Sequence, residues 1–472
     1  MIVRRFFEPA LAQASYLIGC AASGHAIVID PHRDAEVYTR AAAADGLTIT
    51  HVTESHIHAD FLSGTRELAS VSGATMLLSD EGDDQWNYAF ADDGKRLRHG
   101  DRIAIGNVRL DVAHTPGHTP EHITFVITDG AVADAPIAAA TGDFIFVGDV
   151  GRPDLLERAA NIKGTMEVGA RTLFKSLKAF DRVHEEWLQI WPGHGAGSSC
   201  GKGISAVPHS TLGYERRFNW AFKAASEEEF VAAVLAGQPD PPTYFATMKR
   251  MNKMGPPLLK GFRTPPRLND DELPALIDRG GIVIDTRPAL EYAAGFAIGT
   301  LNLPLTGSFV TWAGWLLPYT EPIYLVLGDG AEVRLPEIVR SLSLIGLDQV
   351  AGYFTHSALS RVRQPLSTIR QMQPSELADL RGDHAPVVID VRHEGEWQNG
   401  HLPSAIHIPL GHLSRRLSEL PKGQPLVMQC QGGSRSAIAA SLLRRAGYDD
   451  VSNLTGGFGG WTKAGLPTVG SQ

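Results

Sequence analysis

The stretch Ile282-Val283-Ile284-Asp285-Thr286-Arg287 returns 105 residues later as Val387-Val388-Ile389-Asp390-Val391-Arg392, and this repeat constrains the fold more than any other feature. The same offset carries Glu291 onto Glu396, Gly295 onto Gly400 and Pro304-Leu305 onto Pro409-Leu410. Two copies of one strand-then-Asp-x-Arg frame mark two tandem α/β domains of about 100 residues each. A chain of 472 residues also exceeds the roughly 250–300 at which a single core stops growing, so a further domain precedes them. There, strand-like runs at 15–18, 26–30, 47–52, 74–78, 108–113, 122–127 and 189–191 alternate with helical patterns such as 34–45 and 62–72. That mixture predicts a two-sheet α/β sandwich over 1–237. Gln238-Pro239-Asp240-Pro241-Pro242, Gly255-Pro256-Pro257 and Pro265-Pro266 predict an extended linker over 238–266, leaving the repeats at 267–365 and 366–472.

A net charge of −9 offers no basic excess to neutralise phosphates, which argues against a nucleic-acid partner. No run approaches the roughly 18 apolar residues of a membrane span. Arg4-Arg5 ahead of Leu17-Ile18-Gly19-Cys20 has the outline of a lipoprotein leader, but Glu8, Pro9 and Gln13 interrupt its apolar stretch. The three cysteines, Cys20, Cys200 and Cys430, leave at least one thiol unpaired, so a reducing cytoplasm is expected. Composition leaves a homo-oligomer open.

The sandwich region carries its chemistry next to strands. Ser55-His56-Ile57-His58-Ala59-Asp60-Phe61 follows one strand run. Thr115-Pro116-Gly117-His118-Thr119, Thr141-Gly142-Asp143 and Pro192-Gly193-His194 each adjoin another. Loops converging on one end of a sandwich bring imidazoles and carboxylates to a common metal site. Of the 18 histidines, His122 at a strand start reads as structural, and His51, His184, His209 and His356 receive no role.

This ordered set resembles the metallo-β-lactamase superfold from about Tyr16 to Trp220. Thr141-Gly142-Asp143 followed by Gly151-Arg152-Pro153-Asp154 looks most like its glyoxalase-II and persulfide-dioxygenase branch. The binuclear hydrolases of the superfold have a His where this chain has Phe61, and phenylalanine has no lone pair for a second metal. A second site would keep only Asp60, His194 and a bridging Asp143. The resemblance to persulfide dioxygenases implies one Fe(II) per chain on His56, His118 and Asp143, with His58 supporting rather than ligating. Two His and one carboxylate with open positions suit non-haem iron oxygen chemistry. The resemblance also implies that Arg152 lies near the polar tail of a thiol substrate.

In the last domain, the strand run Pro425–Gln429 (residues 425–429) ends in Cys430-Gln431-Gly432-Gly433-Ser434-Arg435, and a helical stretch follows. A thiol at a strand-to-helix turn faces backbone N–H groups and the positive end of the helix, with Arg435 nearby. That setting favours the thiolate and would also cradle an anion such as thiosulfate or sulfite. A Cys-x(5)-Arg phosphatase is the rival chemistry, but Cys430 to Arg435 is one residue shorter. Together with Gly400-His401-Leu402-Pro403-Ser404-Ala405 and Gly456-Gly457-Phe458-Gly459-Gly460-Trp461, the loop resembles the rhodanese family over about Gln373 to Thr468. The resemblance implies that Cys430 carries sulfur as a persulfide within a cradle of Gln431, Gly432, Gly433 and Ser434, and that Arg435 assists. The middle repeat has Leu327 at the cysteine position, followed by Gly328-Asp329-Gly330, so it is expected to be a silent rhodanese-like spacer. Cys20 reads as core. Cys200, in a Gly/Ser loop beyond His194 and close to Lys202, is open as a reactive thiol.

Both active regions point to sulfane sulfur. The expected activity is oxidation of a low-molecular-weight thiol persulfide by O2 to sulfite and thiol, joined to a sulfurtransferase that exchanges sulfur with thiosulfate, sulfite and thiols. The alternatives are a zinc thioester hydrolase of glyoxalase-II type fused to a sulfurtransferase, and a non-catalytic sulfur carrier or sensor.

Overall fold

The computed structural model describes residues 1–470 except 91–92, 156, 158–163 and 381–384. It forms two compact units, Met1–Phe262 with Ser343–Gly346, and Arg263–Leu342 with Leu347–Gln472.

In the first unit, two six-stranded sheets face each other. One runs Ile2–Glu8, Gln13–Cys20, His25–Ile29, Thr48–Thr53, Thr75–Ser79, Lys95–Leu97, in that order. The other runs Ser210–Thr211, Gln189–Pro192, Ala138–Gly142, Ile123–Asp129, Val108–His114, Arg102–Ile105. Strand alternation explains the layering, since successive side chains point to opposite faces. Tyr16, Ile18, Ile27 and Ile29 turn inward to meet Leu110, Phe125 and Ile127 between the sheets. Leu17, Ala26 and Val28 turn outward, onto Tyr38 and Ala42 of helix Ala35–Ala44 and Leu68 of helix Thr65–Ser72. The second sheet buries its outer face against Leu173, Leu177 and Phe180 of helix Met166–Val183. The result is a four-layer αββα sandwich. All seven expected strand runs fall within observed strands or overlap them.

The passage read as an extended linker differs from expectation. Residues Phe245–Met254 form a helix with Phe245, Met248 and Asn252 buried. Prolines bound this segment on both sides but are absent inside it, so they delimit the helix rather than prevent it.

The second unit holds two parallel sheets, one for each repeat. The first runs Leu301–Asn302, Ile282–Asp285, Ile323–Leu327, Val350–Thr355. The other runs Arg370–Met372, Val451–Leu454, Leu426–Gln429, Val387–Asp390, Ile406–His407. The shared frame has a physical cause. Arg287 forks onto Asp285 and donates to the Gly295 carbonyl at 2.9 Å, and Arg392 forks onto Asp390 and donates to the Gly400 carbonyl at 2.7 Å. Each copy thus pairs its buried charges and ties its central strand to the following helix. Among the described residues no helix is long and apolar enough to cross a membrane.

Candidate functional site

Thr48–Thr53 leads into the loop of His56, His58 and Asp60; Val108–His114, Ala138–Gly142 and Gln189–Pro192 lead to His118, Asp143 and His194. All six side chains are buried. Gly142 permits the convergence: its φ is +49°, and a Cβ there would stand 2.4 Å from Ser55 Oγ. Asp143 is central. Its Oδ2 lies 3.5 Å from His118 Nε2 and 3.9 Å from His56 Nε2, and its Oδ1 lies 3.5 Å from His194 Nε2.

Tautomers follow from the hydrogen bonds. His118 Nδ1 donates to the Arg152 carbonyl at 3.0 Å, and His194 Nδ1 donates to the Ala12 carbonyl at 3.1 Å. A carbonyl only accepts, so both rings turn a bare Nε2 toward Asp143. The Asp143 N–H donates to His122 Nε2 at 3.1 Å, which leaves His122 Nδ1 to donate to Thr115 Oγ1 at 2.9 Å. His122 is therefore structural in a specific sense, holding the backbone of Asp143. Burial, then the neighbouring imidazoles, push His56 and His122 well below the ordinary histidine range. Burial also lowers His118, against the pull of Asp143.

No N–H or O–H group among the described residues donates to either carboxylate oxygen of Asp143. A buried carboxylate facing imidazole lone pairs is costly unless a cation sits among them. His56, His118 and Asp143 each offer a ligand atom, all within 4.8 Å of one another. This donor set fits one divalent ion.

His58 stands apart. Its Nε2 lies 3.1 Å from Asp30 Oδ1, and Phe61 packs on its ring at 4.4 Å between centroids. Burial alone would lower its pKa, but Asp30, Asp60 and Glu54 outweigh it and raise the ring to about 9. Asp30 also accepts from Ser55 N–H at 2.6 Å and holds a left-handed backbone, φ +52°, so strain is stored beside the site.

Asp60, His194 and Cys200 form a second buried group. Cys200 is no solvent-facing reactive thiol: burial, then the Asp60 and Asp143 carboxylates, push it well above the usual thiol range. Spacing alone does not place Cys200 beside Asp60. Arg152 requires a correction. It is fully buried, forks onto Asp154 at 2.8 and 2.7 Å, and donates to the Ser199 and Pro239 carbonyls. Its guanidinium ties three chain segments together instead of facing a substrate, while its carbonyl orients His118.

Asn252 is the residue that sequence reasoning missed. It lies in the helix of the supposed linker, is buried, donates from Nδ2 to the His58 and Phe61 carbonyls at 2.8 Å each, and accepts from Ser63 N–H at 2.9 Å. It thereby satisfies three backbone groups of the loop that carries His56. Asn252→Leu is expected to leave them unpaired, costing about 3 kcal/mol or more in denaturant unfolding and lowering metal affinity roughly 10–100-fold. Metal retention matching wild type during dialysis against a chelator would remove Asn252 from the site.

In the second unit, Leu426–Gln429 delivers Cys430 to a turn from which helix Ser434–Arg445 starts. Gly433 N–H donates to Cys430 Sγ at 3.1 Å, and Ser436 Oγ donates to it at 3.4 Å. Gln431, Gly432 and Ser434 are exposed at the mouth of the loop. Arg435 is turned to Glu396, on which it forks at 2.6 and 2.7 Å. Gly457, φ +55°, lets the next turn close over the loop: a Cβ there would meet the Cys430 carbonyl at 2.0 Å, which Phe458 N–H reaches at 2.7 Å. In the middle repeat, strand Ile323–Leu327 ends in an unreactive side chain, and Gly330 precedes a short 3-10 helix, Ala331–Arg334.

A sandwich with this buried His/Asp centre, followed by a cysteine cradled at a strand-to-helix turn, defines a class. Residues 9–194 match the model of the metallo-beta-lactamase superfamily, and residues 373–464 match that of the rhodanese-like domain. The chain belongs to the metallo-β-lactamase superfamily and carries a C-terminal rhodanese-like domain. A solved structure of a metallo-beta-lactamase from Staphylococcus aureus is 43% identical, with TM-score 0.69, over 75% of this chain and 99% of its own. The persulfide dioxygenase ETHE1 of Mus musculus is 32% identical over 34% of this chain, and the match spans 59% of that protein's length. A sulfurtransferase of Allochromatium vinosum is 36% identical over 22% of this chain and 98% of its own.

Proposed function

We propose that the chain oxidises a low-molecular-weight thiol persulfide with O2 and moves sulfane sulfur at Cys430. One persulfide, one dioxygen and one water give one thiol, one sulfite and two protons. The observation that carries this reading is the buried pair of imidazoles with one carboxylate, His56, His118 and Asp143, whose ligand atoms all lie within 4.8 Å of one another. The likenesses to a protein named persulfide dioxygenase and to one named sulfurtransferase support it. Fe(II) is the ion proposed for His56, His118 and Asp143; when bound it supplies the one-electron chemistry that dioxygen needs to react with sulfur. The chain's own residues fix the geometry. Arg152 and Ala12 carbonyls set the His118 and His194 tautomers, His122 holds Asp143, and Phe61 keeps the flank apolar. The middle repeat is a silent rhodanese-like domain, since Leu327 cannot carry sulfur and Asp329 repels an anionic donor. A reducing cytoplasm would keep Cys20, Cys200 and Cys430 as the free thiols they are here.

Anaerobic purification with metal analysis tests this, followed by oxygen-electrode assays on glutathione persulfide beside thioester hydrolysis. One iron per chain with persulfide-dependent oxygen uptake is expected. Two tightly held zincs with thioester hydrolysis and no oxygen uptake would overturn it.

A further inference from the structure

The second half of the metal loop, residues 60–65, is buried throughout, so its backbone N–H and C=O groups need partners within the protein. Asn252 serves the His58 and Phe61 carbonyls and the Ser63 N–H, and Gly64 N–H donates to the Pro31 carbonyl at 2.7 Å. Leu62 lies among these groups and is fully buried. Its N–H finds its acceptor far along the chain: the Leu344 carbonyl, at 2.8 Å.

Leu344 ends helix Leu335–Leu344 of the silent repeat, yet Ser343–Gly346 belong to the first unit. The turn that presents the Leu344 carbonyl is set locally. Gly346 has φ +76° and donates its N–H to the Ser343 carbonyl at 3.0 Å, while Leu347 N–H donates to the Leu342 carbonyl at 3.0 Å. A glycine in the left-handed region closes a helix in this way at no steric cost. Arg33, itself buried, ties the turn down by donating to the Ser343 carbonyl at 3.1 Å and the Pro257 carbonyl at 2.8 Å. Ser343, Leu344 and Ile345 are buried as well. A Cβ on Gly346 would stand 3.3 Å from Leu62 Cδ2 and from Met248 Cε, so the turn packs on the metal loop and on the helix that carries Asn252.

We infer that the silent repeat is a working part of the oxidation centre: Leu344 and Gly346 are positioning residues whose backbone holds Leu62, and with it the loop of His56 and Asp60, in its metal-binding geometry. The inference rests on the reading of His56, His118 and Asp143 as metal ligands. Without the Leu344 carbonyl, the Leu62 N–H is a buried donor with no acceptor, and the loop must shift or open to water to satisfy it.

The test uses the full chain, loaded with iron, carrying Gly346→Val, Gly346→Asn or Arg33→Gln. Valine resists a left-handed backbone, whereas asparagine adopts it. Gly346→Val and Arg33→Gln are expected to lose iron to a chelator about tenfold faster than wild type. Both are also expected to exchange the Leu62 amide hydrogen at least about tenfold faster. Gly346→Asn is expected to match wild type in both measurements. Arg33→Gln leaves the sequence of the silent repeat intact, so it decides the question if Gly346→Val does not fold. Wild-type iron retention or wild-type Leu62 exchange in Arg33→Gln would overturn the inference. So would losses in Gly346→Asn equal to those in Gly346→Val, which would trace the effect to crowding. If wild type itself binds no iron, the reading of the metal ligands fails; exchange at Leu62 in the metal-free chain then still decides whether Leu344 holds the loop.

Discussion

Asp143→Asn protein is expected to retain less than about a tenth of the wild-type iron and to take up oxygen with persulfide at least about 100-fold more slowly. The two carboxylate oxygens of Asp143 face His56, His118 and His194 together. An amide keeps the shape but loses the charge that attracts a divalent ion. Its NH2 group also donates to bare imidazole nitrogens and seals the site with hydrogen bonds. The same reasoning predicts that the metal-free variant unfolds at higher denaturant than metal-free wild type, because an unpartnered buried carboxylate is removed. That second measurement separates loss of metal from loss of fold. A variant that binds iron as well as wild type does would place the ion elsewhere.

The parts legible in the sequence were those where chemistry and local pattern coincide. His56, His118 and Asp143 each follow a strand within a few residues, so strand endings and ligand types together bring them to one edge of the sandwich. The Asp-x-Arg repeat was visible because a buried ion pair with a fixed carbonyl acceptor tolerates little variation within each copy. The features that stayed hidden depend on distance. Asn252 acts on a loop 191 residues away through backbone carbonyls, and carbonyls carry no residue-type signal. Arg152 shows the opposite limit: a guanidinium looks the same in sequence whether it meets a substrate or, as here, a buried Asp154. Cys200 was ambiguous because a Gly/Ser loop predicts exposure, whereas this loop folds its thiol inward against Asp60 and Asp143.

Cys430→Ser is expected to abolish sulfur transfer, by about 1000-fold or more, while leaving persulfide-dependent oxygen uptake within about twofold of wild type. A serine hydroxyl keeps the hydrogen bonds that Gly433 and Ser436 make to Sγ but cannot hold a sulfane sulfur. The two sites share no residue, since the metal group lies within Met1–Phe262 and Cys430 lies in the other unit. The products should therefore separate. On the proposed function, wild type supplied with persulfide and oxygen is expected to make sulfite at the metal site and to charge Cys430 from persulfide. Attack of sulfite on the outer sulfur then releases thiosulfate and restores the cysteine thiolate. The variant lacks that second step and should accumulate sulfite with little thiosulfate, a difference that chromatography of the derivatised anions reads directly. If the direction of flow is the reverse, with thiosulfate charging Cys430 and a thiol carrying the sulfur on to iron, oxygen uptake driven by thiosulfate plus thiol is lost in the variant. Uptake driven by preformed persulfide survives. Either product pattern locates sulfur transfer at Cys430. If Cys430→Ser stopped uptake on preformed persulfide as fully as Asp143→Asn does, oxidation would itself pass through the cysteine, and the account of two autonomous sites would be wrong.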